Sequence, residues 1–238
     1  MNILVFASKL VGCKCVEFLL KEHMNDNYTF VITEKNDEKL KALLINSGQN
    51  FYEVDNFNDH LNADESFDWI LNLWGGLILE SKLLIKAKNN LNIHPSMLPH
   101  ARGKDPIVWT IQNNFPAGTT LHEMTNKIDA GDIFYQQELA YCMPIKGLEL
   151  YDEILKHSVN VFKNNWSNIK NNPKKLKIDY EKHQLFLRKH LINNQTKDFS
   201  DETINKTLLW LLSHDFTKKE GQKNGKYGAQ VIINNKVY

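Results

Sequence analysis

A chain of 238 residues is long enough to bury a core without disulfide or metal staples, and it fits one large domain or one domain with a sizeable appendage. Hydrophobic residues make up 42% and charged residues 24%, the proportions of an ordinary globular protein and not of a disordered or fibrous one. A net charge of +1 excludes the broad basic excess of a protein built mainly to hold nucleic acid, and no run approaches the ~18 apolar residues of a membrane helix.

In chain order, residues 2–7 are continuously apolar with no basic stretch before them, so they read as a buried first strand and not as a leader peptide. Residues 11–21 show helical spacing, with Val11, Cys15, Phe18 and Leu19 apolar. Residues 28–33 form a second strand. Residues 37–46 form a second helix with Leu40, Leu43 and Leu44 on one face. A short strand at 51–54, a stronger one at 69–74 and another at 91–94, stopped by Pro95, follow. Residues 105–112 read as a helix with Pro106 in its first turn, and 119–124 as a strand of alternating character. This alternation predicts an α/β fold: a Rossmann-like, mostly parallel sheet with helices on both faces.

Beyond Glu149 the pattern changes. A long amphipathic helix spans 150–169 and ends near Asn171, Asn172 and Pro173. A helix at 203–212 and a strand at 227–233 lie in a Lys- and Asn-rich remainder. The expected organisation is a core over 1–148 and a short C-terminal α/β subdomain over 149–238. The cysteines Cys13, Cys15 and Cys142 form no CxxC pair and no even set, so they read as structural thiols of a reducing cytoplasm.

The chemistry-bearing pattern starts at Asn92 and His94. Side chains two apart on a strand share a face, so both project from the carboxyl end of the strand while Ile93 turns into apolar packing. Ligands of open α/β sheets bind at that end. The next segment, PSMLPHARGKD, is stiffened by Pro95 and Pro99 and bent by Gly103. Downstream, Ala130 and Gly131 leave room for Asp129 to turn back toward such a site. An amide, an imidazole and a carboxylate suit acyl transfer to an amine: the first two stabilise an oxyanion and the third accepts or relays a proton.

Other readings of the same residues stay open. His94 also suits a satisfied core position and Asn92 a turn, and residues 129–132 suit a hairpin loop. A His94, His100, Asp129 metal site has no helical i, i+4 ligand spacing behind it. Dinucleotide binding is disfavoured, because the first strand leads into Ser8-Lys9-Leu10-Val11-Gly12 and not G-x-G-x-x-G.

Three stretches, FDWILNLWGGLIL, LNIHPSMLPHARGKDPIVWTI and AGTTLHEMTNKIDAGDIFYQQEL, together closely resemble the folate-dependent formyltransferase family over residues 67–139. The resemblance implies catalytic roles for Asn92 and His94, from the family's Asn-x-His-Pro-Ser signature, and for Asp129. It implies 10-formyltetrahydrofolate as co-substrate, no metal, and a pterin site between Gly76, Leu77, Ile78 and Leu79 on one side and Thr125 to Ile128 on the other. The turn at Ser8 and Lys9 resembles the place where relatives hold the acceptor. Among relatives, sugar-nucleotide N-formyltransferases fit the C-terminal text SHDFTKKEG…YGAQVIINNKVY best. The acceptor implied is then a dTDP- or UDP-linked amino sugar, of use in surface polysaccharide. His100, Arg102 and Lys104 would face the sugar or diphosphate, and Phe216 and Tyr227 would stack on the base. A cytoplasmic enzyme with small-molecule partners, without nucleic acid or membrane, and a homodimer through the terminal strand are expected. Glycinamide ribonucleotide and methionyl-tRNA transformylation are the alternatives within the family, and a non-catalytic folate-binding protein is the alternative outside it.

Overall fold

The apolar N-terminal run becomes β1 (Asn2–Ala7), buried from Ile3 to Ala7, in a computed structural model of the chain. The structure describes residues 1–55, 57, 64–193, 196–198, 204–215, 230–233 and 236–237. Around β1 a seven-stranded sheet is ordered β3 (Phe51–Glu53), β2 (Asn27–Ile32), β1, β4 (Phe67–Leu73), β5 (Ala87–His94), β7 (Gly118–His122), β8 (Ile133–Glu138). The pairings from β3 to β5 are parallel, and β7 runs antiparallel to β5. Strand order reverses between β1 and β4, which places a switch point at the Ser8–Lys9 turn.

Helices cover both faces. On one, α1 (Lys9–Glu22) lies so close that a Cβ on Gly12 would stand 2.7 Å from the Leu73 carbonyl oxygen. Beside α1, the long α5 (Gly147–Asn171) sets Phe162 and Trp166 edge-on against Phe18 and Trp69. On the other face Leu4, Phe6 and Ile70 pack with Val31, Phe57 and Leu83, the last from the short α3 (Ser81–Leu84). Each such side chain withdrawn from water is worth roughly 1.5–3 kcal/mol before entropy is counted. α2 (Glu38–Asn46) begins where Asp37 accepts a hydrogen bond from the Leu40 amide at 3.2 Å.

The chain forms two compact units. The first comprises Met1–His94, Thr120–Gln136 and Ser158–Ile178, and the second Pro95–Thr119, Gln137–His157 and Asp179–Tyr238. The units interleave along the chain, whereas the sequence pattern places its boundary at residue 148. Within the second unit, α4 (Pro106–Gln112) packs on α7 (Ile204–His214), and β6 (Arg102–Gly103) pairs with β9 (Leu185–Phe186). Trp109 stacks on Phe186 with ring centroids 4.5 Å apart. A small sheet of β10 (Thr196–Asp198), β11 (Gln230–Ile233) and β12 (Lys236–Val237) follows α6 (Arg188–Asn193), an α/β C-terminal piece as expected. No described helix is long and apolar enough to cross a membrane.

Strand β8 was not anticipated from the sequence. Its residues run Ile133, Phe134, Tyr135 and then Gln136, Gln137, Glu138, without the period-two alternation that reveals a strand, and only Ile133 is buried.

Candidate active site

Period two does what the pattern requires of β5. Ile93 is buried in the core, while Asn90, Asn92 and His94 share the opposite face and His94 ends the strand. Sheet register supplies their neighbours: Asn72 of β4 stands beside Asn92 on one side, and His122 of β7 on the other. Asp129 reaches the same spot from the loop after β7, with a left-handed φ of +42°. Gly131 makes this loop feasible, since a Cβ there would sit 1.9 Å from the Glu123 carbonyl oxygen.

The polar geometry is close-knit. Asn92 Nδ2 lies 3.0 Å from His122 Nε2, and His122 Nδ1 lies 2.8 Å from the Glu123 carbonyl oxygen. A carbonyl only accepts, so Nδ1 carries the proton and Nε2 accepts from the Asn92 amide. Burial pushes the His122 pKa down to about 4, assisted by His94 and opposed by Asp129, so the ring is neutral near pH 7. Asp129 Oδ2 is 3.6 Å from His94 Nδ1, and its Oδ1 is 3.6 Å from His122 Nε2. These are electrostatic contacts, longer than hydrogen bonds. The His94 side chain is 5% exposed and that of Asp129 17%, so a ligand reaches the group from the carboxylate side. Among the described residues His94, His122 and Asp129 are also the set able to ligate a metal ion.

The proposed pterin loops flank this cluster. Leu77, Leu79 and Met124 pack on the same apolar group as Leu4, Phe6 and Ile70, while Ile78 is exposed. Asn72 Oδ1 accepts from the Gly75 amide at 3.0 Å, and its Nδ2 lies 3.5 Å from the Leu77 carbonyl oxygen. Gly76 takes a φ of +65°. Asn90 Oδ1 accepts from the Met124 amide, just ahead of Thr125 and Ile128. Thr125 closes its own turn by donating to the Lys127 carbonyl at 3.1 Å.

The residues expected from the sequence to meet the acceptor are distributed more widely. Ser8 is buried and its hydroxyl donates to the Trp74 carbonyl at 2.7 Å, so it ties the ends of β1 and β4 together. Lys9 pairs with Glu34 at 2.8 Å in an exposed ion pair. His100, Arg102 and Lys104 belong to the second unit. There His100 lies against Phe115 at 4.9 Å, and the Arg102 guanidinium sits 5.5 Å from the Tyr180 ring centre, its buried Nε having no hydrogen-bond acceptor among the described residues. The Lys104 amide donates to Phe186 at 2.8 Å, and the Lys104 side chain is exposed. Phe216 and Tyr227 lie outside the described residues.

The structure thus brings Asn92, His94 and Asp129 together and adds His122, Asn72 and Asn90, which the motif reading passed over. Asn72 carries a plain sequence signal, a polar residue inside the apolar run of β4, whereas Asn90 and His122 sit in strands already rich in polar residues.

A family model described as formyl transferase matches residues 1–162. Among solved structures, a sugar N-formyltransferase from a Shewanella species is similar at 19% identity and a TM-score of 0.74, with 99% of this chain and 94% of that one covered. A 4-N formyltransferase from Francisella tularensis is similar at 21% and 0.76, with 99% and 94% covered. An N-formyltransferase from Helicobacter canadensis, in complex with folinic acid and dTDP-3-aminofucose, is similar at 22% and 0.73, with 98% and 84% covered. At these identities the likeness is one of fold. The family match, which spans β1 through most of α5 and includes every residue of the Asn92–His94–Asp129 cluster, makes the chain a member of the formyl transferase family and a formyl-transferring enzyme.

Proposed function

We propose that this enzyme moves the formyl group of 10-formyltetrahydrofolate to the amino group of a dTDP- or UDP-linked amino sugar. The convergence of Asn92, His94 and Asp129 at the carboxyl end of β5, beside the apolar floor under Leu77, Leu79 and Met124, carries the reading. A pterin has an apolar face and a hydrogen-bonding edge, and the backbone of residues 76–79 and 125–128 suits that edge.

The amine nitrogen attacks the formyl carbon, forming a C–N bond and leaving a negative charge on the former carbonyl oxygen. The Asn92 amide and a His94 ring N–H are donors suited to that oxyanion. Asp129 accepts the proton shed by the attacking nitrogen. As the bond from carbon to N10 breaks, a proton returns to N10 through the His94–Asp129 pair, which yields tetrahydrofolate and the formamide. No Ser or Cys nucleophile and no metal is required.

The ligands of the Helicobacter canadensis protein, a folate and a nucleotide-linked amino sugar, support the same pair of substrate classes here. On this reading the Ser8–Lys9 turn meets the acceptor at the switch point. Lys9 reaches a phosphate by releasing Glu34, at small cost because exposed ion pairs hold only ~0–1 kcal/mol. His100, Arg102 and Lys104 are assigned to the sugar or diphosphate. The free thiols of Cys13, Cys15 and Cys142 fit work in a reducing cytoplasm, with a product destined for surface polysaccharide.

The test is a turnover assay with 10-formyltetrahydrofolate and four acceptors: a nucleotide-linked amino sugar, the free sugar, glycinamide ribonucleotide and methionyl-tRNA. The nucleotide sugar should give the highest kcat/KM. Equal values for the free sugar, or efficient use of either other acceptor, would overturn the assignment.

A further inference from the structure

The cluster that suits formyl transfer has a second chemical property. His122 Nε2 holds the ring's lone pair, which accepts from the Asn92 amide at 3.0 Å, because the ring's other nitrogen donates to the Glu123 carbonyl at 2.8 Å. That arrangement, a histidine whose far N–H is held by a backbone carbonyl, is how metal-binding histidines are usually oriented. The same nitrogen stands 3.6 Å from an Asp129 carboxylate oxygen, near enough for one ion to bind both once the Asn92 amide gives way. His94 Nδ1 lies the same 3.6 Å from the other carboxylate oxygen. Donors sharing a tetrahedral zinc ion at about 2.0–2.2 Å stand roughly 3.3–3.6 Å apart, whereas charge-assisted hydrogen bonds close to about 2.7–2.9 Å. All three ligand atoms fall within 4.8 Å of one another, so rotamer adjustments well under the length of a side chain bring them onto one ion.

We infer that His94, His122 and Asp129 form an inhibitory site for a borderline-soft divalent cation of the zinc class. Two imidazoles and one carboxylate select Zn2+, Co2+ or Cu2+ over Mg2+ and Ca2+, which prefer oxygen ligands. Inhibition follows from which groups the ion removes. It takes the His122 lone pair that now holds the Asn92 amide at 3.0 Å, and it occupies the His94 nitrogen and the Asp129 carboxylate. The His94–Asp129 proton path is withdrawn, and the Asn92 amide loses the acceptor that positions it. The inhibition, though not the binding, rests on the proposed reaction.

The full chain, stripped by chelator and dialysed, is titrated with zinc chloride by calorimetry and with Co2+ by visible absorption. One tight equivalent is expected, with intense Co2+ bands of low coordination number. Stoichiometric zinc should suppress formyl transfer, and chelator should restore it. Asp129→Asn and His122→Gln should each weaken binding by at least about 10–100-fold, the loss seen when only a supporting partner is removed. His183→Ala should bind as the parent does, because the His100–His183 pair, 5.8 Å apart in the second unit, is the competing source of surface binding. If His122→Gln fails to fold, Asp129→Asn, altered at the exposed edge of the site, keeps the test decisive. Absence of the tight equivalent, its survival in Asp129→Asn, its loss in His183→Ala, or activity abolished by chelation would each overturn the inference. Zinc binding without formyl transfer to any amino sugar would instead fail the proposed function alone.

Discussion

At the scale of single residues, the proposed roles separate by which kinetic constant they move. His94→Ala and Asp129→Asn are expected to lower kcat by ~10²–10⁴-fold while leaving folate and acceptor affinity nearly unchanged. Asn92→Ala should cost roughly 3 kcal/mol of transition-state stabilisation. Because the three act as a unit, a double variant should lose far less than the product of the singles. Single-turnover rates, ligand affinities and melting temperatures on the same proteins check this. A kcat for well-folded His94→Ala close to the parent's would remove the mechanism. His122 makes a different prediction. An unfolded imidazole titrates near 6.5, and burial holds the native ring at about 4. Between these values the unfolded chain binds a proton that the native one refuses. The ring's contribution is therefore fully present above about pH 6.5 and is lost as pH falls toward 4, on the order of 3 kcal/mol in all. Burial lowers the pKa of His100, His157 and His214 as well, so the parent's acid sensitivity is a sum. His122→Gln should show a visibly shallower loss of urea midpoint across that window, and an identical slope would refute the assignment.

At the scale of elements, the loop from Glu123 to Asp132 is held by close backbone approach. Its ends are tied by a hydrogen bond from the Glu123 amide to the Asp132 carbonyl at 2.9 Å. Gly131→Ala would drive a Cβ into the Glu123 carbonyl, so the loop must shift and carry Asp129 away from His94. A misplacement of ~1 Å costs about 10²-fold in rate, so kcat should fall by that order with the fold retained. Unchanged kcat would show that Asp129 is placed by something else. On the opposite face, Trp166 of α5 is fully buried, 5.1 Å edge-on from Trp69 and 5.6 Å from Phe162. Trp166→Ala should cost about 3–5 kcal/mol in a denaturant titration. Trp166→Phe should cost much less, since it also removes an indole N–H buried without an acceptor among the described residues. The helix itself was readable from its apolar spacing, but its partners Phe18 and Trp69 were not, because they lie more than 90 residues away in the chain.

At the scale of the whole molecule, the interleaving of the two units yields a prediction about truncation. A fragment ending at residue 148, the boundary expected from the pattern, loses Ser158–Ile178 from the first unit and bares Trp69 and Phe18. It should be insoluble or lack a cooperative melt by circular dichroism; a cooperative fold would show that the core stands without α5. The sequence by itself determined the α/β alternation, the burial of β1 and the common face of Asn92 and His94. Each of these follows from period and polarity within one short segment. It also marked Asp129, through the small residues after it. Only the tertiary structure decided that His122 stands opposite Asn92, that Asn72 and Asn90 brace the two loops, and that β8 closes the sheet. These depend on register between strands remote in sequence, and a one-residue slip of register would turn His122 to the other face without changing the local pattern.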